Sequence, residues 1–345
     1  MRPFLKQIGN NQKGENMLNT IKPKGRVIFA YLFIPVALFI FTVFVPLVAA
    51  LYYGFTDWKG GPMKHFNGLA NYIQLLRDEV FWHSFGNNLY LVVACIIGQI
   101  GIAFVLVMLI NSKLAKLESI HRTFGFFPST ISALCVGFVW KMIYDQRTGL
   151  INWFLVDVLH KYKGMKDAPI WLNGEALPIM LILSIPLIWQ YIGYYMVIIL
   201  SAFSSIDTSV LESAEIDGAN GLQRALYIVF PLIKNTLFVC VTLCVAGNMK
   251  AFDSIYAMTE GGPGTSSMVM ALYGYNQSFK SSNLGYGSTI SVAIFVLSLA
   301  VIGGSQFLLN TYMTDDYDKE EKRIQRKREK EARAAMKKRM KGGRI

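Results

Sequence analysis

LESAEIDGANGLQRALYIVFPLI, running from Leu211 to Ile233, is a polar stretch set between two segments apolar enough to cross a membrane. Charged and small residues held between spans do not fill a core, so they are available to something outside the bilayer. Ser209 followed three residues later by Glu212 has capping-box spacing and predicts a helix start near Ser209. Gly218 predicts its stop, because a helix end favours a residue that tolerates positive φ. A second short helix is expected from about Leu222, with Pro231 at the entry to the next span. The outcome is a helix–turn–helix elbow lying on the membrane surface.

Working outward, the chain reads as all-α and polytopic. Of its 345 residues, 53% are hydrophobic and 16% charged, against about 25% charged in soluble domains. Six segments are long and apolar enough for spanning helices: Val27–Tyr53, Leu89–Ile110, Phe124–Tyr144, Leu177–Phe203, Thr236–Met258 and Ser288–Leu309. Residues 1–26 form a basic segment and read as preceding a retained first span, not as a cleaved signal. Residues 27–312 form the transmembrane domain, with the polar loop at 204–234. Residues 313–345 form a basic tail whose Lys319–Lys341 stretch suits anionic lipid head groups.

Lys and Arg placement sets the orientation. Arg2, Lys6, Lys13, Lys22, Lys24, Arg26, Lys113, Lys116, Arg122, Arg224, Lys234 and the tail fall on one side, which predicts both termini and Glu212 in the cytoplasm. Lys161, Lys163 and Lys166 dissent. The outer loops are then Thr56–Asn87, Asp145–Ala176 and Thr259–Gly287. Short surface helices are expected at Leu69–Leu76 and Leu150–Leu159, and a Gly/Pro break after Thr259.

The net charge of +12 does not point to nucleic acid, because the basic residues flank apolar spans and crowd the tail. Cys95, Cys135, Cys240 and Cys244 lie in apolar segments and read as inert buried thiols. The four histidines show no metal-ligand spacing. No G-x-x-x-x-G-K-[ST] occurs, so no catalytic residue, cofactor site or ATP site is assigned to this chain.

Glu212-Ser213-Ala214, Gly218 and Ile228-Val229-Phe230-Pro231 resemble the EAA loop of the membrane subunits of binding-protein-dependent ABC importers. Ser213 and Phe230 depart from that pattern, and its spacing is intact. Ile216-Asp217-Gly218-Ala219 resembles the carbohydrate branch. So do Gly54-Phe55-Thr56-Asp57-Trp58, Asn87-Asn88, Trp140-Lys141, Gly149-Leu150-Ile151-Asn152, Phe252-Asp253, Gly261-Gly262-Pro263 and Gly285-Tyr286-Gly287. The likeness spans about residues 27–312 and is to maltose and multiple-sugar permeases.

The resemblance implies a multi-pass protein of the bacterial cytoplasmic membrane. Its implied partners are a second homologous permease subunit, two ATPase subunits that bind ATP and Mg, an extracytoplasmic solute-binding protein and a sugar. It also implies that Glu212, Ser213, Ala214, Asp217 and Gly218 seat the cytoplasmic elbow in an ATPase.

For the substrate pathway, aromatic faces and amides at membrane depth are the candidates: Gln190, Tyr191, Tyr194, Gly247, Asn248 and Phe252. Lys250 and Asp253, three apart, are expected to pair. The alternatives are the same architecture importing a polyol, glycerol phosphate or another small polar solute, and an ion-coupled secondary transporter. The second is opposed by the near absence of carboxylates in the spans.

Overall fold

A computed structural model describes residues 25–111, 118–174 and 177–312. The expectations for residues 1–24, for Lys113 and Lys116, and for the tail from 313 lie outside the described residues. Within them, five helices are long and apolar enough to cross a membrane. They are α1 (Arg26–Tyr53), α3 (Glu79–Ile110), α6 (Ile179–Phe203), α8 (Gly221–Asn248) and α11 (Leu284–Leu309). A bent pair, α4 (Arg122–Thr130) and α5 (Ala133–Ile143), makes a sixth if taken as one span. Three shorter helices bear on the site: α2 (Ala70–Arg77), α7 (Thr208–Ile216) and α9 (Asp253–Thr259). A fourth, α10, covers Met270–Tyr275 and winds on through Asn276–Lys280.

Four prolines, Pro35, Pro46, Pro186 and Pro231, sit inside long helices without ending them, and two of these share one device. A proline lacks the N–H that would bond the carbonyl four residues back, and its ring crowds that carbonyl. A wide i→i+5 turn over Ile40–Phe44 precedes Pro46, and another over Arg224–Val229 precedes Pro231. Each widened turn lets the helix pass the proline. The elbow's second arm is therefore continuous with the fifth span, which begins at Gly221 instead of Thr236.

The third and fifth spans depart from straight helices. After Pro128, Ile131 takes an extended backbone conformation, and α4 and α5 meet at 100°. The carbonyls exposed by this break find partners: Gln190 Nε2 donates to Ile131 O at 2.9 Å, and Ser254 Oγ donates to Ala133 O at 3.1 Å. The fifth span ends at Asn248, ten residues before the predicted Met258. Asn88 Nδ2 donates to the Asn248 and Met249 carbonyls at 2.8 and 3.3 Å, meeting the unpaired acceptors of a helix end. Its Oδ1 accepts from Met270 N at 2.9 Å, so one side chain joins α3, α8 and α10.

The core lies among α3, α6 and α8, with Cys95, Leu183, Ile199 and Cys240 fully buried. Close crossing is enforced where α4 meets α6. A Cβ on Gly193 would fall 1.7 Å from the Gly125 carbonyl oxygen, so only glycine fits. In contrast, α1 is exposed from Arg26 to Pro46 and half-buried in places only toward Tyr53, leaving apolar side chains for lipid or another subunit. Cys135 is also exposed, which corrects its reading as a buried thiol.

At the end of the bundle opposite α7, Asp78 ties three segments. One carboxylate oxygen caps α3 through the Val80 and Phe81 N–H groups at 3.0 and 3.1 Å. The other accepts from the hydroxyls of Tyr273 on α10, at 2.6 Å, and of Tyr286 on α11.

Candidate functional site

The breaks in the third and fifth spans create a cavity of about 520 Å³ between α6 and the α8–α9 junction. That volume falls in the usual range for small-molecule sites, about 300–1,000 Å³. Tyr191 and Tyr194 line it from α6, Cys244, Gly247 and Asn248 from α8, and Phe252 from the linker that follows. Gln190 is not in this lining. It is buried with its amide nitrogen bonded to the α4–α5 break, and its Oε1 has no hydrogen-bond partner among the described residues.

Polar capacity at the site is limited and placed. Asn248 Nδ2 donates to its own helix, to Cys244 O at 2.9 Å. No hydrogen bond among the described residues uses its Oδ1. Gln99 on α3, which was not among the candidates, also lines the cavity. Its Nε2 donates to Leu187 O at 2.9 Å, leaving its Oε1 with a weak contact from the Cys244 thiol at 3.5 Å. A lone amide in an apolar span is costly at membrane depth, and that cost is the signal that could have singled it out.

Lys250 and Asp253 both line the cavity, yet they form no ion pair within 4.0 Å among the described residues. This corrects the expected pairing. The i,i+3 geometry requires a continuous helix, and the helix ends at Asn248 and restarts at Asp253. The cavity thus carries one cationic and one anionic side chain among aromatic rings and amides. Such a lining suits a polar, hydroxylated solute with apolar faces.

At the opposite end of the bundle lies the elbow. Its helix α7 starts at Asp207, whose carboxylate accepts from Ser209 N at 3.0 Å. That bond holds the Asp207 carboxyl below its ordinary pKa. Asp207, not Ser209, is therefore the cap, which corrects the predicted capping box. The reciprocal box occurs at the start of the next helix, α8, with Asn220 and Gln223 exchanging two bonds of 2.9 Å.

Gly218 at φ +80° ends α7. The Ala219 and Gly218 N–H groups bond back to the Ala214 and Glu215 carbonyls, the paired closure of a left-handed helix end. Arg224 and Glu215 link the two arms at 3.5 Å. Glu212, Ser213 and Asp217 are exposed and Ala214 is buried. Around them Ile216 and Tyr227 are 86% and 78% exposed, and Leu222 is exposed as well. A rigidly capped helix bordered by bare apolar side chains is built for contact with another protein.

The family model described as "Binding-protein-dependent transport system inner membrane component" matches residues 106–310. A probable ABC transporter permease protein of Pyrococcus horikoshii is 37% identical, over 79% of this chain and 93% of its own length. The probable starch degradation products transport system permease protein AmyD of Thermoanaerobacterium thermosulfurigenes is 31% identical, over 78% of this chain and 89% of its own. Among solved structures, a bacterial ABC transporter involved in import of the acidic polysaccharide alginate superposes with a TM-score of 0.72. It is 19% identical and covers 87% of this chain and 100% of that one.

Proposed function

Given that the chain belongs to the family of binding-protein-dependent transport system inner membrane components, as the permease subunit of an ABC importer of the carbohydrate branch, we propose that it carries a saccharide through the cavity at the α8–α9 break. The observation that carries this reading is the lining itself: the rings of Tyr191, Tyr194 and Phe252 beside the amides of Asn248 and Gln99. Aromatic faces take the C–H face of a sugar ring, and amide oxygens accept from its hydroxyls. Lys250 would favour an anionic solute such as a glycerol phosphate, but Asp253 on the same wall offsets that charge. A neutral saccharide fits better.

The sugar is delivered by an extracytoplasmic binding protein, and a second homologous permease completes the passage. Energy comes from two ATPase subunits that bind ATP and Mg. One of them receives α7 through Glu212, Ser213, Ala214, Asp217 and Gly218. A short helix seated in a partner moves as a rigid body when the partner closes, and the spans attached to it tilt. In this reading both termini and α7 are cytoplasmic.

The test is reconstitution of the full complex in liposomes with its binding protein inside-excluded and ATP inside. Uptake of labelled maltotriose or diacetylchitobiose should require ATP and the binding protein, and uptake of an alginate trisaccharide in their place would make the solute anionic and not neutral. ATP-independent uptake that follows a proton or sodium gradient would refute the reading.

A further inference from the structure

Four aromatic side chains lead from the cavity wall to the protein surface. Phe252 lines the cavity. Its ring lies 5.4 Å from Tyr256, nearly parallel at 9°, and 5.4 Å from Tyr275 at 64°. Tyr275 in turn lies 5.9 Å from Tyr256 and 5.2 Å from Phe279. Phe279 is 69% exposed, and the other three are half-buried. Phe252, Tyr256 and Tyr275 pack against the core, and Phe279 carries the group to the surface.

The backbone holds the row in place. Phe252 and Tyr256 belong to the start and first turn of α9, and Tyr275 and Phe279 stand one turn apart on α10 and its continuation. The ends of these two arms are tied by Lys280 to Glu260 at 3.7 Å. Phe252, Tyr256 and Tyr275 touch one another in a triangle, and Phe279 joins it through Tyr275. The path from the surface therefore runs from Phe279 through Tyr275 to Phe252, the cavity residue, with Tyr256 stacked behind Phe252.

We propose that Phe279, Tyr275 and Phe252, with Tyr256 backing Phe252, form a stacking track that receives the saccharide at the surface and passes it ring by ring into the cavity. This rests on the saccharide reading of the cavity. The apolar C–H face of a pyranose stacks on an aromatic ring without demanding a fixed pattern of hydroxyls. A track of such rings holds the solute weakly at each step. Weak successive sites let it advance instead of being trapped.

The experiment uses the reconstituted full complex and the one saccharide, among maltotriose, diacetylchitobiose and an alginate trisaccharide, that the wild type imports. Phe279→Ala, Phe279→Leu, Phe279→Trp, Tyr275→Leu and Tyr275→Phe are compared for saccharide imported per ATP hydrolysed. Phe279→Ala, Phe279→Leu and Tyr275→Leu should lower that ratio about three- to tenfold, with ATP hydrolysis and subunit assembly unchanged. Phe279→Trp and Tyr275→Phe, which keep a ring, should stay near wild type.

Import ratios within twofold of wild type for Phe279→Ala would overturn the track while leaving the saccharide reading intact. So would a Phe279→Leu variant as good as Phe279→Trp, since apolar volume would then suffice. Loss of subunit assembly in Phe279→Ala would also overturn it, by making Phe279 a subunit contact. A wild type that imports none of the three sugars overturns both the track and the reading beneath it.

Discussion

Asn248 serves the helix end and the cavity at once. Its amide nitrogen closes the end of α8 on Cys244 O, and its Oδ1 stays available to the cavity. Removing that acceptor costs one neutral hydrogen bond, about 0.5–1.5 kcal/mol. Asn248→Ala should therefore weaken saccharide import about two- to tenfold without abolishing it. Adding Tyr194→Ala should be more severe and non-additive, since both side chains line one cavity. Purely additive losses would place them in separate functions. Tyr191, Tyr194 and Asn248 were legible as lining residues because amides and tyrosines are unusual at that depth. Gln99 carried the same amide signal on α3 and was passed over, whereas Lys250 joined them only through the break of α8, which no residue near Asn248 announces by type. Packing gives a further test. Gly193→Ala pushes a methyl onto the Gly125 carbonyl and should destabilise the protein by about 1–3 kcal/mol, read as a lower melting temperature in detergent.

At the scale of elements, α7 carries the sharpest expectation. Gly218 at φ +80° cannot become proline, whose φ is fixed near −65° and whose missing N–H would also free the Glu215 carbonyl. Gly218→Pro and Glu212→Lys should both leave the chain in the membrane and stop saccharide-dependent ATP hydrolysis by the assembled complex. For Glu212→Lys the loss is a charged contact worth about 1.5–3 kcal/mol, with repulsion added. Normal stimulation of hydrolysis in both variants would refute the docking of α7. The helix stop at Gly218 was legible because glycine alone tolerates that conformation cheaply. The cap was misplaced because Asp207 and Ser209 both suit a helix start, and spacing to Glu212 favoured the wrong one. The bend between α4 and α5 was hidden for a different reason. Apolar composition reports depth in the bilayer, and a broken span is as apolar as a straight one.

Across the whole molecule, two expectations follow from how the spans are tied. Lys and Arg asymmetry predicts that a cysteine at Ser281 is labelled from outside by an impermeant maleimide, and one at Ser213 only after permeabilisation, in a background lacking the exposed Cys135. Outside labelling at Ser213 would invert the topology and place the elbow away from any ATPase. The second concerns Asp78, where α3, α10 and α11 meet. Burial raises its pKa, but the hydroxyls of Tyr273 and Tyr286 and the Phe81 and Val80 N–H groups lower it by more, so the net direction is down. A carboxylate whose folded pKa lies below its unfolded value of about 3.9 contributes stability that is complete above that value. The contribution disappears as pH falls through the folded value. The melting temperature in detergent should therefore hold steady from neutral pH down to about pH 5 and then decline. Asp78→Asn should melt lower at neutral pH, by a loss of about 1.5–3 kcal/mol, and should show a shallower acid decline. Equal melting temperatures for Asp78→Asn and wild type at neutral pH would mean that the three segments are held by packing alone.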